Sequence, residues 1–271
     1  MPIPHALAFR GAVPRGMSLP QLFTVEGLGL CAIKFAQNPQ GKRVLTNELI
    51  GFQIADLLGL EHPPCGLVKV DSLCFPTGDG HLLVADIDGV EIPFLGGMHF
   101  YSQWLESSDQ VIAEDLTLSG AVNTSMLAGV VLLDLLLHHW DREPRNTNLI
   151  VQRVGSRQRL KLIDLGLAFG SAAWFADDLQ RITLPDLDAP LPYAQSPTML
   201  LKMIQTDRDF APYLERLPAI TDAALSQMVS LLPVAWNVTD SDKLALLNLL
   251  SARVKALPSY LEQRLKKKVW W

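Results

Sequence analysis

Three side chains suited to joint chemistry lie around two short apolar runs in the middle of the chain. Asp141 and Asn148 precede the run at residues 149–151, and Asp164 follows the run at residues 160–163. A Gly-Ser pair between the runs is typical of a turn, so the pattern predicts a β-hairpin. The hairpin would bring Asn148 and Asp164 to neighbouring strand ends.

An asparagine and an aspartate that converge in this way suit Mg²⁺, which prefers one or two carboxylates, phosphate oxygens and water as its ligands. Asp141 lies on the preceding loop and is left free to act as a base. In phosphoryl transfer one Asp receives the proton of the substrate hydroxyl, while an Asn and a second Asp hold the metal ions. The spacing of these residues therefore predicts phosphoryl transfer with Mg²⁺.

A second group of candidates lies in the first fifth of the chain. Residues 31–34 read as an apolar strand that ends in Lys34, and Glu48 follows fourteen residues later within a predicted helix. Such a lysine can pair with nucleotide phosphates while the helix glutamate orients it. Upstream, a turn that contains Gly16 and Ser18 offers backbone N–H groups to phosphates. Each signal is weak alone, because strand-end lysines are usually solvated and Gly near Pro usually marks an ordinary turn.

The residues around Asp141 also have a simpler interpretation. Asn146 and Asn148 could be turn residues, since asparagine favours such loops. Residues 142–145, which contain three charged side chains and a proline, could be a solvated loop. These alternatives remain open from the residues alone.

Composition restricts the class of protein. A chain of 271 residues that is 49% hydrophobic can bury one large core or two modest ones, which fits a two-lobed enzyme. The formal net charge is −5 with both signs interspersed, so no direct signal for nucleic-acid binding is present. Three cysteines without a C-x-x-C pair argue against a disulfide scaffold and a zinc site. We expect a cytoplasmic protein.

The sequence also predicts no membrane span and no secretion signal. Residues 1–9 lack the apolar core of a signal peptide. The most apolar run, residues 126–137, contains Asp134 and is shorter than the roughly 18–20 residues needed to cross a bilayer, so it predicts a buried helix. The basic and aromatic tail at residues 264–271 is compatible with a docking segment or with a solvated helix end.

The chain changes character near residue 95. Before that point, short β-like runs surround one helix-like segment, and after it helical periodicity dominates. The predicted strands are 21–25, 30–35, 66–70 and 82–87, with a helix at 44–58. The predicted helices of the second part are 125–138, 197–205, 220–232 and 242–257. The sequence thus predicts an α+β protein with a small β-rich N-lobe at residues 1–95 and a larger, mostly helical C-lobe at residues 96–271.

Two stretches are specific enough to indicate a family. Residues 32–41 read Ala-Ile-Lys-Phe-Ala-Gln-Asn-Pro-Gln-Gly, and residues 141–149 read Asp-Arg-Glu-Pro-Arg-Asn-Thr-Asn-Leu. Supporting matches lie at residues 47–48, 57–60, 63–64, 97–100 and 162–166. On these stretches the chain resembles the HipA-like kinase family, in particular the shorter group that lacks the extra N-terminal region of HipA. The resemblance implies a bilobal protein-kinase-like fold.

The resemblance also implies roles for the matching residues and an ATP·Mg²⁺ cofactor. Lys34 would bind the nucleotide phosphates, and Glu48 would hold Lys34. Asp141 would be the catalytic base, and Asp164 the main metal ligand. The glycine turn with Gly16 and Ser18 would take part in nucleotide binding.

The second metal ligand is ambiguous between two asparagines. In the usual pattern the Asn lies five residues after the catalytic Asp and directly precedes an apolar strand. Asn146 satisfies the spacing, and Asn148 satisfies the position before the strand. We favour Asn148, because the hairpin geometry fixes a ligand better than the residue count does.

Departures from the family pattern leave the acceptor open. Trp140 precedes Asp141 where eukaryotic protein kinases have an arginine that reads a phosphorylated activation loop, and no Ala-Pro-Glu follows Asp164. The leading hypothesis is a kinase that transfers the γ-phosphoryl group to a hydroxyl, as HipA-type Ser/Thr kinases do. The alternatives are a small-molecule kinase, an AMP transferase on the same fold, and a catalytically weak pseudokinase that acts through partners.

Overall fold

A computed structural model of the chain describes residues 2–13, 16–76, 80–86, 88–106, 108–110, 120–143, 145–188, 204 and 206–267. The strands are β1 (Ala6–Ala12), β2 (Gln21–Val25), β3 (Gly29–Lys34), β4 (Cys65–Val70), β5 (His81–Ala85), β6 (Glu91–Leu95), β7 (Gly97–Gln103), β8 (Ser108–Gln110), β9 (Leu149–Val154) and β10 (Arg157–Leu162). The helices are α1 (Val44–Leu58), α2 (Met126–Leu137), α3 (Ala176–Gln180), α4 (Ala211–Leu214), α5 (Asp222–Ser230) and α6 (Asp240–Lys267).

The N-lobe is built on a five-stranded antiparallel sheet with the order β1-β2-β3-β7-β4. The strands β5 and β6 form a separate antiparallel hairpin, which packs Leu82 and Phe94 into the N-lobe core. In β3, Cys31 and Ile33 are fully buried in that core. Because side chains alternate along a strand, Lys34 at the end of β3 points to the opposite face of the sheet.

The C-lobe packs around α2, in which every residue is buried. This agrees with the run of apolar side chains that predicted a buried helix. The long helix α6 contacts α2, α3 and α5. A three-stranded sheet with the order β10-β9-β8 lies on the same core, and α1 of the N-lobe joins this core through its buried face.

Most predicted elements are present with nearly the expected bounds. The predicted hairpin is β9 and β10, which pair antiparallel from Leu149 opposite Leu162 to Val154 opposite Arg157. The helix predicted at 242–257 is longer, because α6 runs from Asp240 to Lys267. The helix predicted at 197–205 lies, apart from Ile204, outside the described residues. The last four residues of the C-terminal tail also lie outside them, whereas Arg264 is fully buried.

The proposed lobe boundary near residue 95 falls between β6 and β7. The strand β7, which follows that point, lies inside the N-lobe sheet between β3 and β4. The three cysteines are free, as expected for a chain without a disulfide scaffold. Among the described residues, no helix combines the length and the apolar character that a membrane crossing requires.

Candidate active site

A cluster of three charged side chains joins the two lobes. The Lys34 ammonium donates hydrogen bonds to Glu48 Oε1 and, over 2.8 Å, to Asp164 Oδ1. Glu48 is fully buried, the Lys34 side chain is 13% exposed, and the Asp164 side chain is 40% exposed. The structure thus brings together three predicted site residues that are 14 and 130 positions apart in the sequence. We call them the site cluster.

Glu48 is held by the element that carries it and by the backbone it faces. It lies on the second turn of α1, a helix that is buried over most of its length. Its second carboxylate oxygen, Oε2, accepts a hydrogen bond of 3.1 Å from the Leu165 N–H. Glu48 therefore fixes Lys34 on one side and the backbone next to Asp164 on the other.

Asp164 has a backbone conformation that few side chains adopt. Its φ is +55°, in the left-handed region that costs non-glycine residues of the order of 1 kcal/mol or more. The N–H of Gly166 donates to Asp164 Oδ1 over 3.2 Å. A Cβ at position 166 would lie 3.0 Å from Val44 Cγ1 and 3.3 Å from Asp164 Oδ1, so the glycine permits this close turn. Strain of this kind is typical of functional sites.

The lysine and the two carboxyl groups of the site cluster shift one another's pKa values. Burial alone would raise the pKa of Asp164, but the charge and hydrogen bond of Lys34 and the Gly166 N–H lower it to about 2. Asp164 is therefore ionised at neutral pH. Burial raises the pKa of the Glu48 carboxyl, against the opposing effect of Lys34. Burial would lower the pKa of Lys34, but Asp164 and Glu48 raise it above its ordinary value, so the lysine is charged.

The predicted catalytic loop lies against the start of the hairpin. The Asn148 amide donates hydrogen bonds to the backbone oxygen of Asp141, over 2.8 Å, and to Asp141 Oδ2, over 3.2 Å. Its own backbone oxygen accepts from the Ile163 N–H over 3.0 Å, directly before Asp164. Asn148 therefore links Asp141 to the strand end that carries Asp164. The hairpin predicts that Asn148 and Asp164 lie at neighbouring strand ends, and the contact with Asp141 is an addition from the structure.

Asp141 has the electrostatic environment of a carboxylate that can accept a proton. Burial raises the pKa of its carboxyl, and the charge of Asp164 raises it further. The charge of His139 and the amide of Asn148 act in the opposite direction. The pKa of Asp141 therefore lies above its ordinary value, whereas that of Asp164 lies below it. Two aspartates in one site whose pKa values are shifted in opposite directions are suited to different chemical roles.

Asn146 lies in a tight turn two residues before Asn148. Its backbone N–H and oxygen form a pair of hydrogen bonds with Glu143, of 2.9 Å and 2.8 Å. Pro144 lies outside the described residues. Which of the two asparagines binds metal stays a prediction.

The glycine turn lies between β1 and β2, as predicted. Gly16 has a φ of +118°, and its backbone oxygen accepts from the Leu19 N–H over 3.0 Å. Ser18 is 2% exposed, and its backbone oxygen accepts a 3.4 Å hydrogen bond from the Asn38 amide. Arg15 lies outside the described residues. The role of Gly16 and Ser18 in nucleotide binding stays a prediction.

One interpretation of the loop after Asp141 is wrong for its first residue. Arg142 is fully buried, not solvated, and it donates to both oxygens of Asp134 over 2.6 Å and 2.9 Å. It also donates to the backbone oxygens of Thr147 and Asn148 over 2.8 Å and 3.3 Å. Asp134, the lone carboxylate in the apolar run at 126–137, is the feature of the sequence that could have indicated a buried arginine, since a buried charge requires a partner.

Asn47 is a second positioning residue that motif reasoning treated only as a neighbour of Glu48. Its amide donates to the backbone oxygens of Gly166, Ala168 and Ser171 over 2.7, 2.9 and 3.1 Å. Its side-chain oxygen accepts from the indole N–H of Trp174 over 2.8 Å. Asn47 thereby ties the segment after Asp164 to α1.

The residues at the strand ends fit a divalent cation that prefers oxygen ligands. Asp164 is ionised and partly exposed, and Asn148 offers an amide oxygen from the adjoining strand end. Within the described ranges, no group of three or more His, Cys, Asp or Glu side chains is placed to hold a metal ion. A group of several such side chains around one metal ion is typical of structural metal sites, whereas Mg²⁺ bound at phosphates uses few protein ligands.

Comparisons with known proteins show the fold. The sequence matches no family model. No curated protein matches it either. A structure of hydra Fam20 with sugar aligns over 96% of this chain and 86% of that chain, with a TM-score of 0.56 and 12% identity. The Helicobacter pylori proinflammatory kinase CtkA aligns over 96% and 99%, with a TM-score of 0.55 and 13% identity.

The Golgi casein kinase with Mn and ADP bound aligns over 98% of this chain and 73% of that chain, with a TM-score of 0.53 and 10% identity. At these identities the likeness concerns the fold, which is protein-kinase-like in all three relatives. The resemblance of the sequence to the HipA-like kinases is consistent with it. The chain therefore has an α+β, bilobal protein-kinase-like fold, as its sequence predicts.

Proposed function

We propose that this protein is an ATP·Mg²⁺-dependent phosphotransferase that moves the γ-phosphoryl group to a hydroxyl. The observation that carries the proposal is the convergence of Lys34, Glu48 and Asp164 between the lobes, next to the linked pair Asp141 and Asn148. A fold alone supports many functions, so the argument depends on these contacts.

Each residue has a role in this proposal that follows from its surroundings. Lys34 is charged and held by two carboxyl groups, and in this proposal it binds the nucleotide phosphates. Asp164 and Asn148 would hold the metal, which when bound supplies positive charge to the phosphate oxygens. Asp141, with its raised pKa, receives the proton of the acceptor hydroxyl.

Two structural relatives support the choice of cofactor and of reaction class. CtkA is described as a kinase, and the Golgi casein kinase holds Mn and ADP in its structure. Nucleotide and divalent metal are therefore bound on this fold in at least one relative. The resemblance to HipA-like kinases favours a Ser/Thr side chain as acceptor, and we propose a protein hydroxyl on that basis.

Intact-mass spectrometry of the purified protein after incubation with ATP and Mg²⁺ tests the proposal. A gain of one phosphate, absent in Asp141→Asn and in the presence of EDTA, is the expected result. The Asp141→Asn variant keeps the size of the side chain and removes its basicity, so it is a matched control. Gain of AMP would instead indicate nucleotidyl transfer.

A second assay separates an absent acceptor from an absent activity. Release of ADP without a change in mass, again lost in Asp141→Asn, would show phosphoryl transfer to water or to an added acceptor. Neither mass gain nor ADP release, in a protein that still binds ATP, would favour the pseudokinase alternative over the proposed function.

A further inference from the structure

Arg43 is a buried arginine at the start of α1 that no motif marks. It is 3% exposed, and its three guanidinium nitrogens all point into the C-lobe. Nε donates to the backbone oxygen of Trp174 over 3.1 Å, and one terminal nitrogen donates to the backbone oxygen of Asn237 over 3.1 Å. The other donates to Asp242 Oδ2 over 2.6 Å. The guanidinium also lies 4.8 Å from the centre of the Trp174 ring.

Asp242, the partner of Arg43, is itself held by backbone groups of the C-lobe. Asp242 is 2% exposed and lies in the first turn of α6, where a negative charge is favoured. Its Oδ1 accepts from the Ala176 N–H over 2.9 Å, and its Oδ2 accepts from the Thr239 N–H over 3.2 Å. A buried ion pair is stabilising only when its remaining hydrogen-bonding groups are satisfied, and these contacts meet that requirement.

The chain just before Arg43 touches the same segment of the C-lobe. The Arg43 N–H donates to the backbone oxygen of Ala172 over 2.8 Å. At Gly41 a Cβ would collide with that same carbonyl oxygen, so the approach depends on glycine. Asn47, one turn further along α1, binds the backbone of residues 166–171. Hydrogen bonds from the start of α1 therefore reach backbone groups at several positions between Leu165 and Trp174.

Glu48 follows Asn47 on this anchored turn. It reaches Lys34 through Oε1 and the Leu165 N–H through Oε2. In kinases, activity requires the ion pair between the strand lysine and the helix glutamate, and its formation depends on the position of the helix. Here the anchor of that helix consists of Arg43 and Asp242, which lie outside the cluster itself.

We propose that Arg43 is a positioning residue: its ion pair with Asp242 and its contacts with Trp174 and Asn237 fix the first turns of α1 on the C-lobe and thereby hold Glu48 against Lys34 and the Leu165 amide. The importance of this arrangement for catalysis rests on the proposed function. The arrangement itself is a property of the protein without nucleotide.

Amide hydrogen exchange of the full chain without nucleotide tests the positioning directly. In Arg43→Met, exchange of the Leu165 N–H and of the first two turns of α1 should rise roughly tenfold or more, because charged hydrogen bonds that close this region are lost. The matched control is Arg264→Met, which removes an equally buried arginine whose contacts with Tyr260 and the Asp186 backbone lie in the C-lobe. It should leave Leu165 exchange unchanged.

A second variant covers the case in which Arg43→Met does not fold. Asp242→Asn keeps the volume and one acceptor oxygen, and it should raise Leu165 exchange in the same direction by a smaller factor. Unchanged Leu165 exchange in the Arg43 or Asp242 variant, or an equal rise in Arg264→Met, would overturn the proposal.

Kinetics then separate this inference from the proposed function. If the native protein turns over ATP, Arg43→Met should lower kcat/KM for ATP at least tenfold, and Arg264→Met should lower it less than twofold. Equal kinetic losses in the two variants would contradict the inference and leave the proposed function intact. A native protein that neither binds nor uses ATP would overturn the proposed function, while the exchange data still decide whether Arg43 holds the cluster.

Discussion

Two clusters of ionisable side chains differ in what they leave open to solvent. The site cluster of Lys34, Glu48 and Asp164 spans both lobes, and its Asp164 side chain is 40% exposed. The second, which we call the loop cluster, contains Asp134, His139 and Arg142. All three of its side chains are fully buried within the C-lobe.

The bonding of each cluster explains the difference. In the loop cluster both oxygens of Asp134 are taken by Arg142, and His139 Nδ1 lies 3.2 Å from Oδ1. Burial would raise the pKa of Asp134, but Arg142 holds it below its ordinary value. In the site cluster one ammonium is shared between two carboxyl groups, and one of these carboxyls remains accessible. A buried carboxylate with both oxygens paired, as in Asp134, indicates a structural role, and a partly exposed ionised carboxylate, as in Asp164, indicates a ligand site.

The largest expected effect concerns the loop cluster and is an effect on stability. Arg142→Met should lower the free energy of unfolding by roughly 3–5 kcal/mol, because it leaves the Asp134 charge buried without its partner. Urea denaturation measures the change. The exposed pair of Lys255 and Asp222 serves as control, and Lys255→Met should cost less than about 1 kcal/mol. A loss below that value for Arg142→Met would remove the distinction between the two clusters.

The next effect concerns turnover at the site. Asp141→Asn should lower kcat by roughly 10²-fold or more and leave the Kd for ATP nearly unchanged, as expected for a general base that acts in the transition state. Calorimetric binding and a coupled ADP assay measure the two quantities. Glu143→Gln, which removes an exposed carboxylate from the same loop, should change neither appreciably. If Asp141→Asn abolished ATP binding, Asp141 would be a metal ligand.

A buried histidine in β7 predicts a pH effect of intermediate size. His99 Nδ1 accepts from the Ala36 N–H over 3.1 Å, and Nε2 lies 3.0 Å from the Leu95 oxygen, so the neutral ring is satisfied. Burial lowers the pKa of His99 to about 4. Below the unfolded value of about 6.5 the unfolded chain binds a proton that the folded protein excludes, so stability falls as pH decreases towards 4.

This contribution of His99 amounts to about 1.4 kcal/mol per pH unit within that window. Urea denaturation at pH 7.0, 6.0 and 5.0 measures the slope. In His99→Gln, whose amide can make both hydrogen bonds without titrating, the slope should become shallower by that amount. An equal slope in the two proteins would show that His99 is not the group responsible.

The smallest effect separates the two asparagines. Asn148→Ala should raise the Mg²⁺ concentration for half-maximal activity several-fold more than Asn146→Ala does, since Asn148 lies at the strand end beside Asp164. Because the Asn148 amide also lowers the pKa of Asp141, its removal should move the acid limb of the rate profile to higher pH. A larger Mg²⁺ effect in Asn146→Ala would reverse the assignment.

The sequence predicted what depends on local pattern. The apolar runs and the Gly-Ser turn predicted β9 and β10, and the strand that ends in Lys34 was placed correctly together with the helix that carries Glu48. The order of these motifs along the chain was sufficient to expect Glu48 beside Lys34, but not the direct contact of Lys34 with Asp164. Motif spacing indicates which strand or helix carries each site residue, because the elements are short and their order is fixed by the fold.

Tertiary partners were not predictable in the same way. Asp134 was visible as a charge in an apolar run, but nothing in the spacing identified Arg142 as its partner. Arg43 and Asp242 are 199 positions apart, and each resembles an ordinary surface residue in its local sequence. Similarly, only the pairing of β7 with β3 and β4 places the residues just after position 95 inside the N-lobe sheet. Long-range pairing of this kind leaves no periodic pattern in one sequence.

Binding of ATP·Mg²⁺ to the site cluster is the central claim, and the thermal shift on adding millimolar ATP·Mg²⁺ tests it most directly. Native protein should melt at a higher temperature, because a ligand that binds only the folded state stabilises it by mass action. Lys34→Met should lose the shift, whereas Lys161→Met, which removes a lysine paired with Glu61 in the C-lobe sheet, should keep it. An unchanged melting temperature in the native protein, or an undiminished shift in Lys34→Met, would contradict the assignment of this site.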